Sequence, residues 1–188
     1  MSSVKEMIEQ GRTVLGIELG STRIKAVLID ESHKPVASGD FEWENRLENN
    51  IWTYSLEDIW KGLQGCYKSL TDDVEAKYGE KLTTLGSLGF SDDARLYAVQ
   101  CSRRTSGAFP YLEKYHDGRS LQEADPGYLI STIPQRWSIA HLYQAILSGE
   151  DHVKDIAFFT TLAGYIHWKL SGEKVLGIGE AAGMFPID

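Results

Sequence analysis

A short polar turn between two apolar segments carries the residue types in this sequence that are best suited to chemistry. Glu18 lies near the end of the first segment, Gly20, Ser21 and Thr22 form the turn, and Lys25 lies in the second segment. Gly20 has no side chain, so the amide groups of the turn can approach a phosphate closely, and the two hydroxyl groups add hydrogen-bond donors. A plain hairpin turn, for which Gly and Ser are also favoured, is the structural alternative.

The carboxylate of Glu18 adds a second type of ligand beside this turn. Mg²⁺ keeps several of its waters in protein sites and typically takes one or two carboxylates. Glu18 is therefore a candidate metal ligand next to a bound phosphate, and Lys25 is a candidate for a nearby positive charge. Together these residues predict a site for a phosphate group accompanied by Mg²⁺.

The turn is predicted to join the first two of three strands. Residues 13–19 and 24–30 are mainly apolar, and residues 36–43 follow after a second turn. Three strands joined by tight turns are typical of an antiparallel meander. The candidate site would then lie at one end of a sheet.

A long helix and a fourth strand are predicted next. Ser55 is a good N-cap, Asp58 three residues on resembles a capping box, and apolar residues recur at helical spacing to position 70. The acidic cluster at residues 72–75 is interpreted as a solvated helix face, and residues 82–90 as a strand. The order β-β-β-α-β indicates an α/β domain with a mixed sheet. Its core is expected to include five residues: Leu15, Ile17, Val27, Leu85 and Leu88.

Composition limits the class of protein and its partners. The chain has 188 residues, 42% of them hydrophobic, and a formal net charge of −8. That charge disfavours nucleic acid as a partner. No apolar run approaches the roughly 20 residues of a membrane span, and the polar N-terminus is unlike a signal peptide, so we expect a cytoplasmic protein without a membrane partner. Cys66 and Cys101 lack metal-ligand spacing and are expected to be reduced packing residues.

Two parts of the sequence resemble a known family. Residues 16–30, G-I-E-L-G-S-T-R-I-K-A-V-L-I-D, resemble the first phosphate motif of the actin, heat-shock chaperone and sugar-kinase superfamily, D-x-G-S/T-S/T-x-x-K. Residues 133–146 and 161–188 resemble the later part of the N-terminal domain of FGGY carbohydrate kinases, where a helix ending in S/T-G precedes a D-A-A/S-G loop. The similarity is greatest to xylulokinase-like members.

The resemblance implies a ribonuclease-H-like, actin-like ATPase domain with a mixed sheet, residues 1–188 forming the N-terminal FGGY domain and residues 1–12 a tail. It implies a phosphotransferase that moves the γ-phosphate of ATP to a sugar hydroxyl, with a ketopentose such as xylulose as substrate and Mg²⁺ as cofactor. Gly20, Ser21, Thr22 and Lys25 would bind the nucleotide. Glu18 would bind the metal, although the family usually has Asp there.

No catalytic residue is assigned within the 188 residues. The family's general base is an Asp in a second domain, which the resemblance places beyond residue 188, so the fragment itself is expected to be inactive. A homodimer is one assembly expected of the full-length protein. The alternative, from another class, is a non-catalytic actin-like module that binds nucleotide or a partner.

Residues 92–131 do not fit the family pattern and indicate a shifted reading frame. The family has an M-H-G motif directly after the fourth strand. One permitted set of codons for residues 92–99, read one nucleotide later, encodes M-M-H-G-Y-M-P, and residues 108–119 similarly yield P-F-R-T-W-R-N-T-M-T-E-E. We infer a frameshift near Ser91 that is restored near Thr132. Arg103, Arg104 and His116 therefore receive no sugar-site role, and this segment is expected to pack least well.

Five other residues have a structural and a functional interpretation. Glu180 lies in the D-A-A/S-G-like segment, where a structural role is favoured over a ligand contact. Trp43 and Trp52 are interpreted as core or rim aromatics. His141 and His167 lie on predicted helices and are interpreted as packed or half-exposed residues, not catalysts.

Overall fold

The computed structural model describes residues 3–44, 46–48, 51–53, 55–92 and 138–184. Apart from its first residue, the predicted aberrant segment at residues 92–131 lies outside these ranges, so its poor packing stays a prediction. By their contacts the residues divide into two units. The first unit comprises residues 1–46 and 53–93, and the second comprises residues 47–52 and 94–188.

A four-stranded mixed sheet and a long helix dominate the first unit. The sheet has the order β3-β2-β1-β6, in which β1 pairs antiparallel with β2 and parallel with β6, and β2 pairs antiparallel with β3. This arrangement confirms the predicted meander, the fourth strand and the mixed sheet. The elements from the N-terminus to β6 are α1 (Val4–Glu9), β1 (Val14–Leu19), β2 (Arg23–Ile29), β3 (Pro35–Glu42), β4 (Arg46–Glu48), β5 (Ile51–Thr53), α2 (Leu56–Tyr78) and β6 (Ser87–Asp92). Strands β4 and β5 pair only with each other among the described residues.

The core of the first unit lies on the sheet face covered by α2, which packs against β3 and β2. Leu15 and Ile17 are buried as predicted, and Leu85 is half-buried. The prediction is wrong for Val27, which is 37% exposed, and for Leu88, which is 43% exposed. Val27 lies on the opposite face of β2 from the buried Ala26, because successive side chains of a strand alternate. Leu88 lies on β6, at the far side of the sheet from β3.

Small residues allow α2 to lie very close to β3. A Cβ atom on Gly39 would come within 2.6 Å of the Cys66 carbonyl oxygen and 2.7 Å of Leu70 Cα, well inside van der Waals contact. A Cβ atom on Gly65 of α2 would meet the ring of Phe41, 2.6 Å from its Cε2 atom. The backbones of helix and strand therefore touch at a point where no larger residue fits.

Two element boundaries differ from the sequence interpretation. Residues 4–9, expected to belong to a tail, form α1. Ser3 and Glu6 cap the N-terminus of this helix with a reciprocal capping box, and Ile8 of the helix is buried. Six residues are too few to show a helical period in the sequence. The fourth strand begins at Ser87 and not at Leu82, although Leu82 is buried. For α2, the predicted N-cap is confirmed, since the Ser55 hydroxyl accepts a hydrogen bond from the Asp58 N–H at 3.0 Å.

The second unit is helical within residues 138–184, whereas its described residues among 47–52 belong to β4 and β5. It contains α3 (Ser138–Leu147), a 3₁₀ helix (Asp151–Asp155), α4 (Leu162–Ser171) and α5 (Ile178–Met184). The two predicted helices are confirmed as α3 and α4. The second of them begins at Leu162, because the Thr161 hydroxyl accepts a hydrogen bond from the Gly164 N–H and so caps α4 there. None of the described helices is long and apolar enough to cross a membrane.

Candidate phosphate-binding site

The predicted turn is present at the end of the β1–β2 hairpin. Leu19 and Ile24 are the last paired residues, and the Gly20 N–H donates to the Arg23 carbonyl oxygen at 3.0 Å. A Cβ atom on Gly20 would lie 2.7 Å from that same oxygen. The turn therefore closes so tightly that a residue with a side chain at position 20 would force it apart.

Trp43 holds this turn from the side of the core. Its indole Nε1–H donates to the Gly20 carbonyl oxygen at 2.9 Å, and its backbone N–H donates to the Thr22 carbonyl oxygen at 3.2 Å. Trp43 is only 6% exposed, so its interpretation as a core aromatic is confirmed. By contrast, neither the backbone N–H nor the hydroxyl of Thr22 has a hydrogen-bond partner in the described part of the chain.

A row of three exposed side chains lies next to the turn. Glu18 on β1 is paired in register with Lys25 on β2 and with Ser91 on β6. All three are exposed, and residues paired in register lie on the same face of a sheet. Within residues 3–44, 46–48, 51–53, 55–92 and 138–184, neither the Glu18 carboxylate nor the Lys25 ammonium group forms an ion pair. Both charges are thus available to a ligand.

Other charges around the turn are already neutralised. Arg23, at the start of β2, pairs with Asp40 at 2.6 Å and also with Glu42, both on β3. The ion pairs leave Lys25 as the better candidate for contact with an anion.

The carboxylates available suit Mg²⁺ only in company with a phosphate. The described residues contain no group of three or more His, Cys, Asp or Glu side chains that could hold a metal ion. A single carboxylate such as Glu18 fits an ion that keeps its waters and takes its remaining ligands from phosphate oxygens. The residues present therefore fit Mg²⁺ bound jointly with a phosphate, and not a separate metal centre.

Parallel pairing brings two further residues to this edge of the sheet. Ser91 is paired with Glu18 and Asp92 with Leu19, so the carboxyl ends of β1 and β6 meet beside the turn. The sequence interpretation missed both residues, because it treated them as the boundary of the shifted frame. Recognising them requires the register between strands that are about seventy residues apart in sequence.

Glu180 has a structural role within the second unit. It lies on α5 and not in a loop, and its carboxylate accepts hydrogen bonds from the Thr161 hydroxyl and, at 3.1 Å, from the Gly177 N–H. The same Thr161 caps α4. His167 on α4 is exposed, and the side chains of His141 and Trp52 lie outside the described residues.

Cys66 is a reduced packing residue, as predicted, whereas Cys101 lies outside the described residues. The Cys66 Sγ atom is fully buried on the side of α2 that faces the sheet, 3.6 Å from the carbonyl oxygens of both Ile24 and Gly39. Burial, with a smaller contribution from the charge of Asp40, raises the pKa of the thiol to about 11. The thiol is therefore protonated at neutral pH and is a poor nucleophile.

The mixed sheet, its covering helix and the polar turn define an α/β domain, and the solved structures that resemble it include sugar kinases. A gluconate kinase from Lactobacillus acidophilus superposes with a TM-score of 0.68 at 15% identity, over 92% of this chain and 36% of that one. A ligand-bound xylulose kinase from the same organism gives a TM-score of 0.66 at 16% identity, over 92% and 36% of the two chains. A Brucella ovis protein described as a xyloylose kinase superposes with a TM-score of 0.58 at 16% identity, over 92% of this chain and 37% of that one.

These likenesses establish the fold. The chain shares it with sugar kinases and spans about a third of their length, as the covered shares of 36% and 37% show. No protein-family model and no curated protein matches the sequence.

Proposed function

We propose that this chain is the N-terminal domain of a cytoplasmic ATP-dependent sugar kinase of the FGGY type, with the ribonuclease-H-like fold of the actin-like ATPases. The Gly20–Thr22 turn binds a phosphate group of ATP. The observation that carries the proposal is the combination, at one end of the sheet, of a glycine turn with a Thr22 N–H and with charges on Glu18 and Lys25 that have no partner among the residues that the structure describes.

Each of these residues has a specific task in phosphate binding. The Thr22 N–H and hydroxyl donate to phosphate oxygens, to which Gly20 allows close approach. The Lys25 ammonium group offsets negative charge on the phosphates. The Glu18 carboxylate holds Mg²⁺, which when bound neutralises charge on the phosphates of ATP. Phosphoryl transfer depends mainly on such positioning and charge neutralisation.

The acceptor is proposed to be a sugar, a ketopentose such as xylulose. Support comes from the solved structures with this fold, which are described as xylulose, xyloylose and gluconate kinases. The general base is proposed to be an Asp of a second domain. On this proposal the 188-residue chain binds nucleotide but transfers no phosphate.

Calorimetric titration of the chain with Mg·ATP tests the nucleotide site. We expect binding to the wild type and an affinity about tenfold lower for Lys25→Met, because a charge-assisted hydrogen bond to phosphate is lost. Lys34→Met, in the turn at the opposite end of β2, is the matched control and should bind like the wild type. Absence of binding, or equal losses in the two variants, would contradict the proposed site.

A further inference from the structure

We propose that Trp43 is the positioning residue of the phosphate turn, because it fixes the direction of the Gly20 and Thr22 carbonyl groups. The inference rests on the proposed function for its purpose, but its structural part can be tested separately. Trp43 contacts no reacting group itself in this proposal. It acts through the backbone of the turn.

Two hydrogen bonds from one residue hold both ends of the turn. The indole N–H of Trp43 binds the Gly20 carbonyl oxygen at 2.9 Å and its backbone N–H binds the Thr22 carbonyl oxygen at 3.2 Å. In a trans peptide the C=O and the following N–H point in opposite directions. Drawing the Gly20 carbonyl toward Trp43 therefore directs the next N–H, that of Ser21, away from the core.

This orientation determines which charge the turn attracts. A turn whose carbonyl oxygens faced outward would repel a phosphate, whereas outward N–H groups form a concave site for an anion. Trp43 donates hydrogen bonds to two carbonyl oxygens of the turn. These oxygens therefore point toward Trp43 and away from the side on which Glu18 and Lys25 are exposed. The turn is thereby prepared for an anion before any ligand binds.

The packing of α2 fixes the position of the indole ring. Trp43 follows directly after β3 and is buried, and a Cβ atom on Gly62 of α2 would lie 3.7 Å from the ring atom Cε3. A buried indole N–H requires a hydrogen-bond partner, and the Gly20 carbonyl oxygen supplies it. The ring thus transmits the helix–sheet packing to the turn.

Trp43→Phe removes the indole N–H together with the five-membered ring and keeps a phenyl ring at this position, and the control Trp168→Phe loses the same atoms. In ligand-free protein we expect the backbone NMR order parameters of residues 20–22 to fall from about 0.85 toward about 0.6. The affinity for Mg·ATP should fall about fivefold, the effect expected from loss of one neutral hydrogen bond. Trp168→Phe on α4 is the matched control and should change neither quantity, since among the described residues the Trp168 ring contacts Phe158, Tyr165 and two lysines.

The outcomes separate this inference from the proposed function. Unchanged order parameters and amide shifts at residues 20–22 in Trp43→Phe would overturn the positioning role. Increased mobility of the turn in a protein that binds no Mg·ATP would support the structural role of Trp43 while contradicting the proposed nucleotide site. A measurement on the wild type guards against a variant that fails to fold. The Trp43 indole N–H should exchange slowly with solvent, and exchange at the rate of an exposed indole would overturn the inference.

Discussion

The carboxylate of Asp73 on α2 accepts a hydrogen bond from the backbone N–H of Ser38 on β3 at 2.9 Å. Two neighbouring contacts follow the same pattern. The Ser69 hydroxyl accepts from the Asp40 N–H at 3.3 Å, and the Tyr78 hydroxyl donates to the Val36 carbonyl oxygen at 3.0 Å. Side chains of α2 thus bind alternate residues along the free edge of β3.

These contacts correct part of the interpretation of residues 72–75 as a solvated helix face, which is confirmed for the exposed Asp72 and Glu75. Val74 is fully buried, and Asp73 binds β3 and forms an ion pair with Lys77 at 2.7 Å. Within the described sheet β3 is an edge strand, whose outward N–H and C=O groups would otherwise be available to a strand of another chain. The helix therefore protects the edge as well as covering the core.

Asp73 should make stability depend on pH in the acid range. The hydrogen bond from Lys77, and then that from the Ser38 N–H, lower the pKa of Asp73 below its ordinary value of 3.8. A carboxyl group with a lowered pKa in the folded state stabilises the fold above its unfolded pKa, and this contribution is lost as the pH falls through the folded pKa. We expect the Tm of Asp73→Asn to fall less steeply than that of the wild type below about pH 4.

Thermal unfolding between pH 7 and pH 2 measures this difference. Asp72→Asn is the matched control, because Asp72 pairs with Lys68 on the same helix and is well exposed. Its pH profile should follow that of the wild type. Parallel curves for wild type and Asp73→Asn would show that the contact with β3 contributes nothing.

Gly39→Ala should be strongly destabilising. The added methyl group would lie 2.6 Å from the Cys66 carbonyl oxygen and 2.7 Å from Leu70 Cα, both backbone atoms that cannot move independently of α2. We expect a loss of about 3 kcal/mol in the free energy of unfolding, measured by urea denaturation. Gly89→Ala on β6, where a Cβ atom would meet nothing within 4 Å, should change stability by less than about 0.5 kcal/mol. Similar losses for both variants would mean that α2 and β3 are not in backbone contact.

Thr13→Val should stabilise the chain. The Thr13 side chain is fully buried, and its hydroxyl oxygen has no hydrogen-bond partner in the part of the chain that the structure describes. Replacement by a methyl group of similar size removes the cost of burying that hydroxyl, so we expect a gain of about 1 kcal/mol by urea denaturation. Thr161→Val, which deletes the cap of α4 and the bond to Glu180, should instead lose about 1 kcal/mol. A loss in both variants would indicate that the Thr13 hydroxyl has a partner.

The 188-residue chain should show no sugar-kinase turnover. The proposed general base belongs to a second domain, and phosphate binding alone does not transfer a phosphoryl group. A coupled assay for ADP across a panel of pentoses and hexoses, with an active sugar kinase run in parallel, measures this. Sugar-dependent ADP formation by the purified chain would place the catalytic base within these residues.

Local patterns were sufficient to predict the first unit's strands and the turn. A strand in a short apolar segment and a turn at the glycine between two such segments can be recognised from neighbouring residues only. The exposed face of β2 could have been predicted in the same way, but the expectation that Val27 is buried did not use this signal. Lys25 lies on the same face as Val27, because successive side chains of a strand alternate, so the charge at position 25 already favours burial of Ala26 and exposure of Val27.

The candidate site was predicted only in part, because its other components depend on long-range pairing. Glu18, Gly20, Thr22 and Lys25 are close in sequence, and the structure brings them to one edge of the sheet. Ser91 joins them through the parallel register of β1 and β6. The contact of Trp43 with Gly20 spans 23 positions and requires the β3 end and α2 to be in place. No periodicity in the sequence signals such a contact.

The burial of Cys66 makes it a reporter of motion between α2 and β3. A thiol with a pKa of about 11, covered on all sides, does not react with alkylating reagents while the helix stays in place. In a Cys101→Ser variant, the rate of alkylation of Cys66 would therefore measure how often α2 separates from β3. The core thus contains its own probe for how often this α/β domain opens, without any engineered label site.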